Sequence, residues 1–307
     1  MKEKITPYLR NLSAAPAIQQ QYSAATAEPA NHSYNDPLME DSYEVVKGLI
    51  HKYPNRALIK VSYQCAAHCR FCTRIRQIGD PAGTLTTTDI DAIARYLSAH
   101  PQVDDVILSG GDPLYMPAVT AQLLATIRNI PSVKVIRIGT RLPVQLPAAL
   151  AGKATLTLLQ LIKEIAAGQP FYILIHINHP DELTTEAIAA IRTLRGLGVT
   201  LLSQSVFLKN INDSFEVLYE LYTRLHHIGV MPYYLYHCDA VDGIQHFSVD
   251  IEKEKDIATQ LTASLSGIAC PTYVIDIEEG HGKIPVPLNF FDAGQLTDFN
   301  GKCHDLK

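Results

Sequence analysis

The sequence predicts an α/β fold: an open, partial (β/α)6 barrel with an N-terminal arm before it and a C-terminal segment after it. Six short β-rich runs, at 57–64, 104–110, 134–140, 171–177, 200–207 and 231–237, alternate with stretches of helical period, as parallel βα units do. Six units are fewer than the eight that close a barrel, so the sheet is expected to stay open. Residues with chemical potential also cluster directly after these runs, where strand ends carry the loops of such folds. The cysteines follow the first run, Ser109-Gly-Gly-Asp112 the second, Gly139-Thr-Arg141 the third and His237-Cys-Asp239 the sixth.

In chain order, residues 1–50 are polar, rich in Ala, Ser and Pro, and without a sustained period, which reads as an extended, partly wrapped arm. Residues 51–260 hold the barrel. Thr86-Thr-Thr-Asp89 reads as a helix-capping sequence, with Ile90, Ile93 and Leu97 on the face behind it. Val217, Leu218, Leu221, Leu225 and Ile228 form a second apolar stripe, ended by Gly229. Residues 261–307 combine a strand-like run, a Gly-rich turn and Lys283.

Composition bounds the function. With 307 residues, 26 Lys+Arg against 31 Asp+Glu and 47% hydrophobic residues, the chain reads as globular and soluble, not as a disulfide miniprotein or a disordered tail. A formal charge of −5 gives no general grip on polyphosphate or anionic membrane. No apolar run reaches the roughly 18 residues of a membrane helix, and the opening MKEKITPYLRNLSAAPAIQQQ lacks the apolar core of a secretion signal. A cytoplasmic location is expected. Of the six cysteines, Cys65, Cys69 and Cys72 fall together, whereas Cys238, Cys270 and Cys303 are scattered and have no assigned partner. A disulfide framework spreads its cysteines; a local trio offers thiolates to one centre.

The trio has the spacing Cys65-x3-Cys69-x2-Cys72. Zinc completed by His68 or a distant cysteine is one reading, but zinc sites usually pair CxxC units a dozen or more residues apart, and no second pair is present. A 4Fe-4S cluster on three cysteines leaves one iron without a protein ligand. The motif resembles that of the radical S-adenosylmethionine (SAM) enzymes, and Phe71 before the last cysteine fits their pattern. The resemblance implies a radical SAM barrel whose open iron chelates SAM and whose reduced cluster cleaves it to a 5′-deoxyadenosyl radical. Gly110 and Gly111, lacking side chains, would let backbone approach a ligand, and Asp112 would accept from an ammonium. Together they resemble the GGE-type element that binds the SAM amino group.

From about Asp36 to Phe291 the chain further resembles the lysine 2,3-aminomutase family. The carrying segments are GLIHKYPNRALIKVSYQCAAHCRFCTRIR, LSGGDPL, VIRIGTRLPV, HINHPDE, QSVFLKNIND, PYYLYHCD and DIEEGHGKIPVPLNF. The resemblance implies a second cofactor, pyridoxal 5′-phosphate (PLP), held as an aldimine on Lys283, with Lys52 and Arg56 on its phosphate and Tyr53 against its ring. Lys52 stands where well-known members have arginine, keeping the charge without the bidentate fork. By the same resemblance, Arg74 takes the substrate carboxylate, Asp239 and Asp276 its side-chain ammonium, and His176 and Gln204 lie near SAM. The implied reaction is an isomerisation through a PLP aldimine radical, moving the amino group of L-lysine from C2 to C3 to give β-lysine. The implied partners are an amino-acid substrate, an electron donor such as flavodoxin or ferredoxin, and a second copy in a homodimer.

Longer members carry a C-terminal zinc segment. Here only Cys303 and His304 stand near the end, and Ser214 replaces a further zinc cysteine, so no structural zinc is expected. The short format resembles the branch that makes β-lysine for elongation factor P, whereas His237-Cys-Asp239 and Lys283 resemble the pattern of the metabolic enzymes. Glu278 and Glu279 would either widen acceptance toward arginine or face solvent. An aminomutase for arginine, glutamate or another amino acid remains open, as does a non-catalytic iron–sulfur or zinc-binding protein.

Overall fold

The computed structural model describes residues 2–24, 36–292, 295–298 and 302–305. The arm is not simply extended. It forms α1 (Pro7–Leu12) and α2 (Pro16–Tyr22), each opening on a proline, with Thr6 Oγ1 capping the first by accepting from Leu9 N at 3.1 Å. Helices this short show no period in sequence. They form because Leu9, Ile18 and Tyr22 pack on Ala67 in the cysteine loop.

The chain then makes β1 (Glu44–Val46), β2 (Leu49–Tyr53) and β3 (Arg56–Ser62), each antiparallel to the next. Next come α3 (Thr87–Ala99), β4 (Asp105–Gly110), α4 (Pro117–Ile127), β5 (Val135–Thr140), α5 (Leu142–Gln145) and α6 (Lys153–Ala166). They are followed by β6 (Phe171–His176), α7 (Thr185–Arg195), β7 (Thr200–Val206), α8 (Phe215–His227) and β8 (Met231–Tyr236). The chain continues through α9 (Ile251–Ser264), β9 (Thr272–Ile277) and β10 (Gly282–Pro285). The last described residues form a small antiparallel sheet of β11 (Phe291–Asp292), β12 (Gln295–Thr297) and β13 (Cys303–Asp305).

Strands β1 to β10 form one sheet in chain order, parallel from β3 to β9. The six expected strands are β3 to β8, and β9 extends the parallel run to a seventh. Ile257, Ala258 and Leu261 bury one face of α9, so a boundary at 260 falls inside a helix of this same layered fold. The expected caps are present: Thr86 and Asp89 form a reciprocal capping box on α3, and Gly229 after α8 has φ +79°. Among the described residues, no helix is long and apolar enough to cross a membrane.

Alternation along the strands sets the site. On β4 and β5, Val106, Leu108, Ile136 and Ile138 are buried in the main core, while Ile107, Ser109 and Arg137 face the other way and line a cavity. The two ends of the sheet meet across that cavity. The Tyr53 hydroxyl accepts from Lys283 N at 3.2 Å, and Lys52 Nζ lies 3.8 Å from Asp276 Oδ1.

Candidate functional site

Two adjoining cavities of about 370 Å³ and about 210 Å³ lie on this inner face, sharing Thr73, Arg74, Ser109, His176, Gln204 and Val206 in their walls. The smaller is lined by Cys65, Cys69, Phe71, Cys72, Gly110, Gly111 and Asp112. The larger is lined by Lys52, Tyr53, Arg56, Asp239, Asp276 and Lys283. Every residue that the resemblance assigns to the cluster, SAM, PLP or the substrate therefore borders one or both.

The cysteine loop leaves the end of β3 and is tied to the N-terminal helices. Lys4 Nζ donates to Cys65 O at 2.6 Å, His68 N to Lys4 O at 2.9 Å and Arg70 N to Gln21 O at 2.9 Å. Burial pushes all three thiols up, Cys72 to about 12, so thiolates here require a cationic centre beside them. Among the described residues, no group of His, Cys, Asp or Glu converges closely enough to hold a single metal ion. A four-iron cube is wider than an ion and takes ligands spread around its faces. Arg141 Nη1 and Gln145 Nε2 donate to Cys69 Sγ at 3.2 and 3.3 Å, while Arg141 Nε and Gln145 Oε1 are buried without a partner. Three thiols, N–H donors aimed at sulfur, and unpaired polar atoms on the wall fit an iron–sulfur cluster with a polar ligand beside it.

Gly110, Gly111 and Asp112 also make close contacts within the chain. A Cβ on Gly110 would stand 2.5 Å from Ser62 O, and one on Gly111 2.3 Å from Gln64 O. The close approach that requires these glycines is to the backbone entering the cysteine loop. The Asp112 carboxylate is not a free acceptor either. It receives Thr140 Oγ1 at 2.8 Å, Arg141 N at 2.7 Å and Leu114 N at 3.0 Å, and so joins the loops after β4 and β5. His176 borders both cavities, its ring 5.7 Å from Phe71; burial, then the nearby Arg141 charge, lowers it to about 3 and keeps it neutral.

In the larger cavity Lys283 faces Asp276 directly across the β9–β10 ladder, with Nζ 4.0 Å from Asp276 Oδ2. Its Nζ donates to the Tyr236 hydroxyl at 2.7 Å, which also accepts from Gln204 Nε2 at 3.1 Å. Burial lowers Lys283 to about 8 despite the raising effect of Asp276 and Asp239. Burial likewise lifts Asp239 to about 6, although Thr73 Oγ1 donates to it at 2.5 Å. The Arg56 guanidinium lies 3.8 Å from the Tyr53 ring centre. Two cations, an aromatic ring, a lysine of lowered pKa and Asp276 Oδ1, buried without a hydrogen-bond partner, fit a planar, anionic aldehyde cofactor.

Arg74 is already paired. Its Nε donates to Glu40 Oε2 at 2.8 Å and its Nη2 to Glu40 Oε1 at 2.5 Å, while Nη1 turns to Ser109 Oγ at 3.4 Å. Glu278 and Glu279 are exposed and border neither cavity.

A family model described as the radical SAM superfamily matches residues 59–222, more than half of the chain. L-lysine 2,3-aminomutase of Clostridium subterminale is 38% identical over 272 residues, covering 87% of this chain and 64% of that protein. The L-lysine 2,3-aminomutase of Escherichia coli is 37% identical over 256 residues, covering 82% of this chain and 72% of its own length. The chain belongs to the lysine 2,3-aminomutase family of radical SAM proteins. It spans a little under two thirds of the length of the first relative named. Among solved structures, a radical SAM methyltransferase from Sphaerobacter thermophilus superposes with a TM-score of 0.50 at 18% identity, covering 74% of this chain and 68% of that one, a likeness of fold. Membership in the radical SAM superfamily implies a 4Fe-4S cluster and SAM for the cysteine cavity.

For this aminomutase-family chain the structure adds residues that the sequence did not single out. Glu40 and Tyr236 contact Arg74 and Lys283, and Gln145 contacts Cys69. Tyr236 had a legible signal, since it stands at the end of a strand beside a polar loop. Glu40 had none, because its partner lies 34 residues further on.

Proposed function

We propose that the protein is a radical SAM, PLP-dependent aminomutase that converts L-lysine to β-lysine. The observation that carries this reading is the meeting of Lys283, Asp276, Asp239 and Arg74 in one cavity that shares a wall with the cysteine cavity. When bound, the cofactors supply an adenosyl radical from SAM and, from PLP, an aldehyde and a conjugated ring able to spread an unpaired electron.

The chain's own residues bind, orient and shield. Lys283, lowered to about 8, presents a larger fraction of neutral amine near neutral pH than an ordinary lysine and can serve as the covalent anchor. Lys52 and Arg56 supply positive charge for a phosphate, and Tyr53 supplies an aromatic face. Asp239 and Asp276 repel each other without a cation, and Lys283 compensates them in the resting chain. A substrate ammonium would take over that compensation once Lys283 is engaged. Arg74, held along one edge by Glu40, presents Nη1 beside Ser109 to a carboxylate. The Tyr236 hydroxyl, which accepts from Lys283 Nζ, is placed to exchange a proton at that nitrogen. The setting that fits this chemistry is the cytoplasm, with a flavodoxin or ferredoxin as electron donor and a second copy as homodimer partner.

The test is anaerobic reconstitution with iron, sulfide, SAM and PLP, then product analysis with lysine, arginine and glutamate under a strong reductant. β-Lysine as the main product is expected. Another β-amino acid in its place would refute the substrate, and a zinc-only protein that binds no PLP would refute the enzyme.

A further inference from the structure

Arg141 and Gln145 line the smaller cavity and have no part in the function proposed above. Arg141 follows β5 directly, and Gln145 is the last residue of α5. Their side chains converge on one atom: Arg141 Nη1 lies 3.2 Å and Gln145 Nε2 3.3 Å from Cys69 Sγ.

Both donors are held by groups remote from the cysteines in sequence. Arg141 Nη2 donates to Glu182 Oε2 and, at 3.1 Å, to Gln21 Oε1. The Glu182 side chain is fully buried and is fixed in turn by Asn178 N at 2.8 Å and His179 N at 3.0 Å. The backbone oxygen of Gln145 accepts from Thr6 Oγ1 at 2.7 Å, and its Nε2 also reaches the Tyr22 hydroxyl at 3.5 Å. The geometry is thus built from α2, α5 and the loop after β6, and does not depend on the cysteine loop alone.

A thiolate bound to iron carries no proton and can only accept hydrogen bonds. An amide NH₂ and a guanidinium are the right groups to face it. Donors to a cluster sulfur draw electron density from it and favour the more electron-rich oxidation state. A cationic donor in a buried site adds a through-space effect of the same sign.

We propose that Arg141 and Gln145 are a redox-tuning pair, whose two N–H···S hydrogen bonds to the Cys69 thiolate raise the reduction potential of the iron–sulfur cluster. The step they ease is the gain of one electron from a low-potential donor. No proton is transferred, because the coordinated Cys69 has none. The inference rests on the cysteines holding a cluster and not on which amino acid is rearranged.

The test uses the full chain, reconstituted anaerobically, with iron and sulfide counted and the cluster titrated with dithionite under electron paramagnetic resonance. Gln145→Leu keeps the volume and removes one donor. It is expected to load as much iron as the parent and to shift the midpoint potential to a more negative value. Arg141→Met, which removes both the charge and the donor, should shift it in the same direction, and Gln145→Leu keeps the test alive if that variant fails to load iron. A fully loaded Gln145→Leu protein with the parent midpoint would overturn the proposal, since a purely structural role would leave the potential unmoved. A parent chain that takes up no iron would sink the cluster assignment itself, which is a separate failure.

Discussion

Lys283 owes its reactivity to its surroundings. Burial strips water from the ammonium and outweighs the attraction of Asp276 and Asp239, so the charged form is lost as pH rises through about 8. Covalent trapping of Lys283 by PLP and borohydride should therefore accelerate as pH rises through that value; a rate that stays flat from about pH 7 to about pH 9 would contradict it. Glu40 behaves oppositely. Burial pushes its carboxyl up, but the Arg74 guanidinium, helped by the charges of Lys60 and Arg76, holds it below the usual carboxylate range. The stability it contributes is present above the ordinary glutamate value of about 4.3 and is lost as pH falls through its lowered native value. Glu40→Ala removes the carboxylate partner of the largely buried Arg74 guanidinium, which keeps its contact with Ser109, and should cost about 1–3 kcal/mol, read as a lowered denaturation midpoint. The milder Glu40→Gln should raise KM for the amino acid more than it lowers kcat, because Arg74 loses its edge restraint and not its charge. A lower KM would mean that Glu40 competes with the substrate carboxylate.

At the scale of elements, the hinge of the site is the contact between the end of β4 and the loop leaving β3. Gly111 N donates to Ser62 O at 2.6 Å and Asp112 N to Gln64 O at 2.8 Å, so backbone hydrogen bonds hold the start of the cysteine loop against the end of β4. Gly111→Ala would force a Cβ against Gln64 and displace that loop. The expected result is native-like circular dichroism with reduced iron loading; full loading would show that the loop tolerates the shift. These elements also show what a sequence can tell. The α3 capping box is written within four residues, and Thr86 and Asp89 were legible for that reason. The position of Gly110-Gly111 was legible, but its cause was not, because the atoms it must clear belong to residues 62 and 64 on another strand end. The pairings of Glu40 with Arg74 and of Gln145 with Cys69 exist only after folding and leave no periodic trace.

Across the whole molecule, the N-terminal helices are part of the cluster's enclosure. Ile18, Tyr22 and Leu9 pack on Ala67, and Lys4 and Gln21 bond the backbone of the cysteine loop. Deleting residues 2–24 should leave the sheet folded, yet make a reconstituted cluster bleach faster in air; an unchanged bleaching rate would show that the helices do not shield it. The strand count was legible up to the sixth unit because alternation is a local signal, whereas the seventh strand, read as a strand-like run, was assigned to the C-terminal segment and not to the barrel. The order of the sheet has one more consequence. Because the strands lie in chain order, the meeting of Tyr53 with Lys283 joins the second strand to the tenth. During synthesis the residues around the cysteines emerge long before Lys283 does, and domains begin to fold from the N-terminal side. The larger cavity is therefore completed only when the last strand of the sheet reaches the first ones.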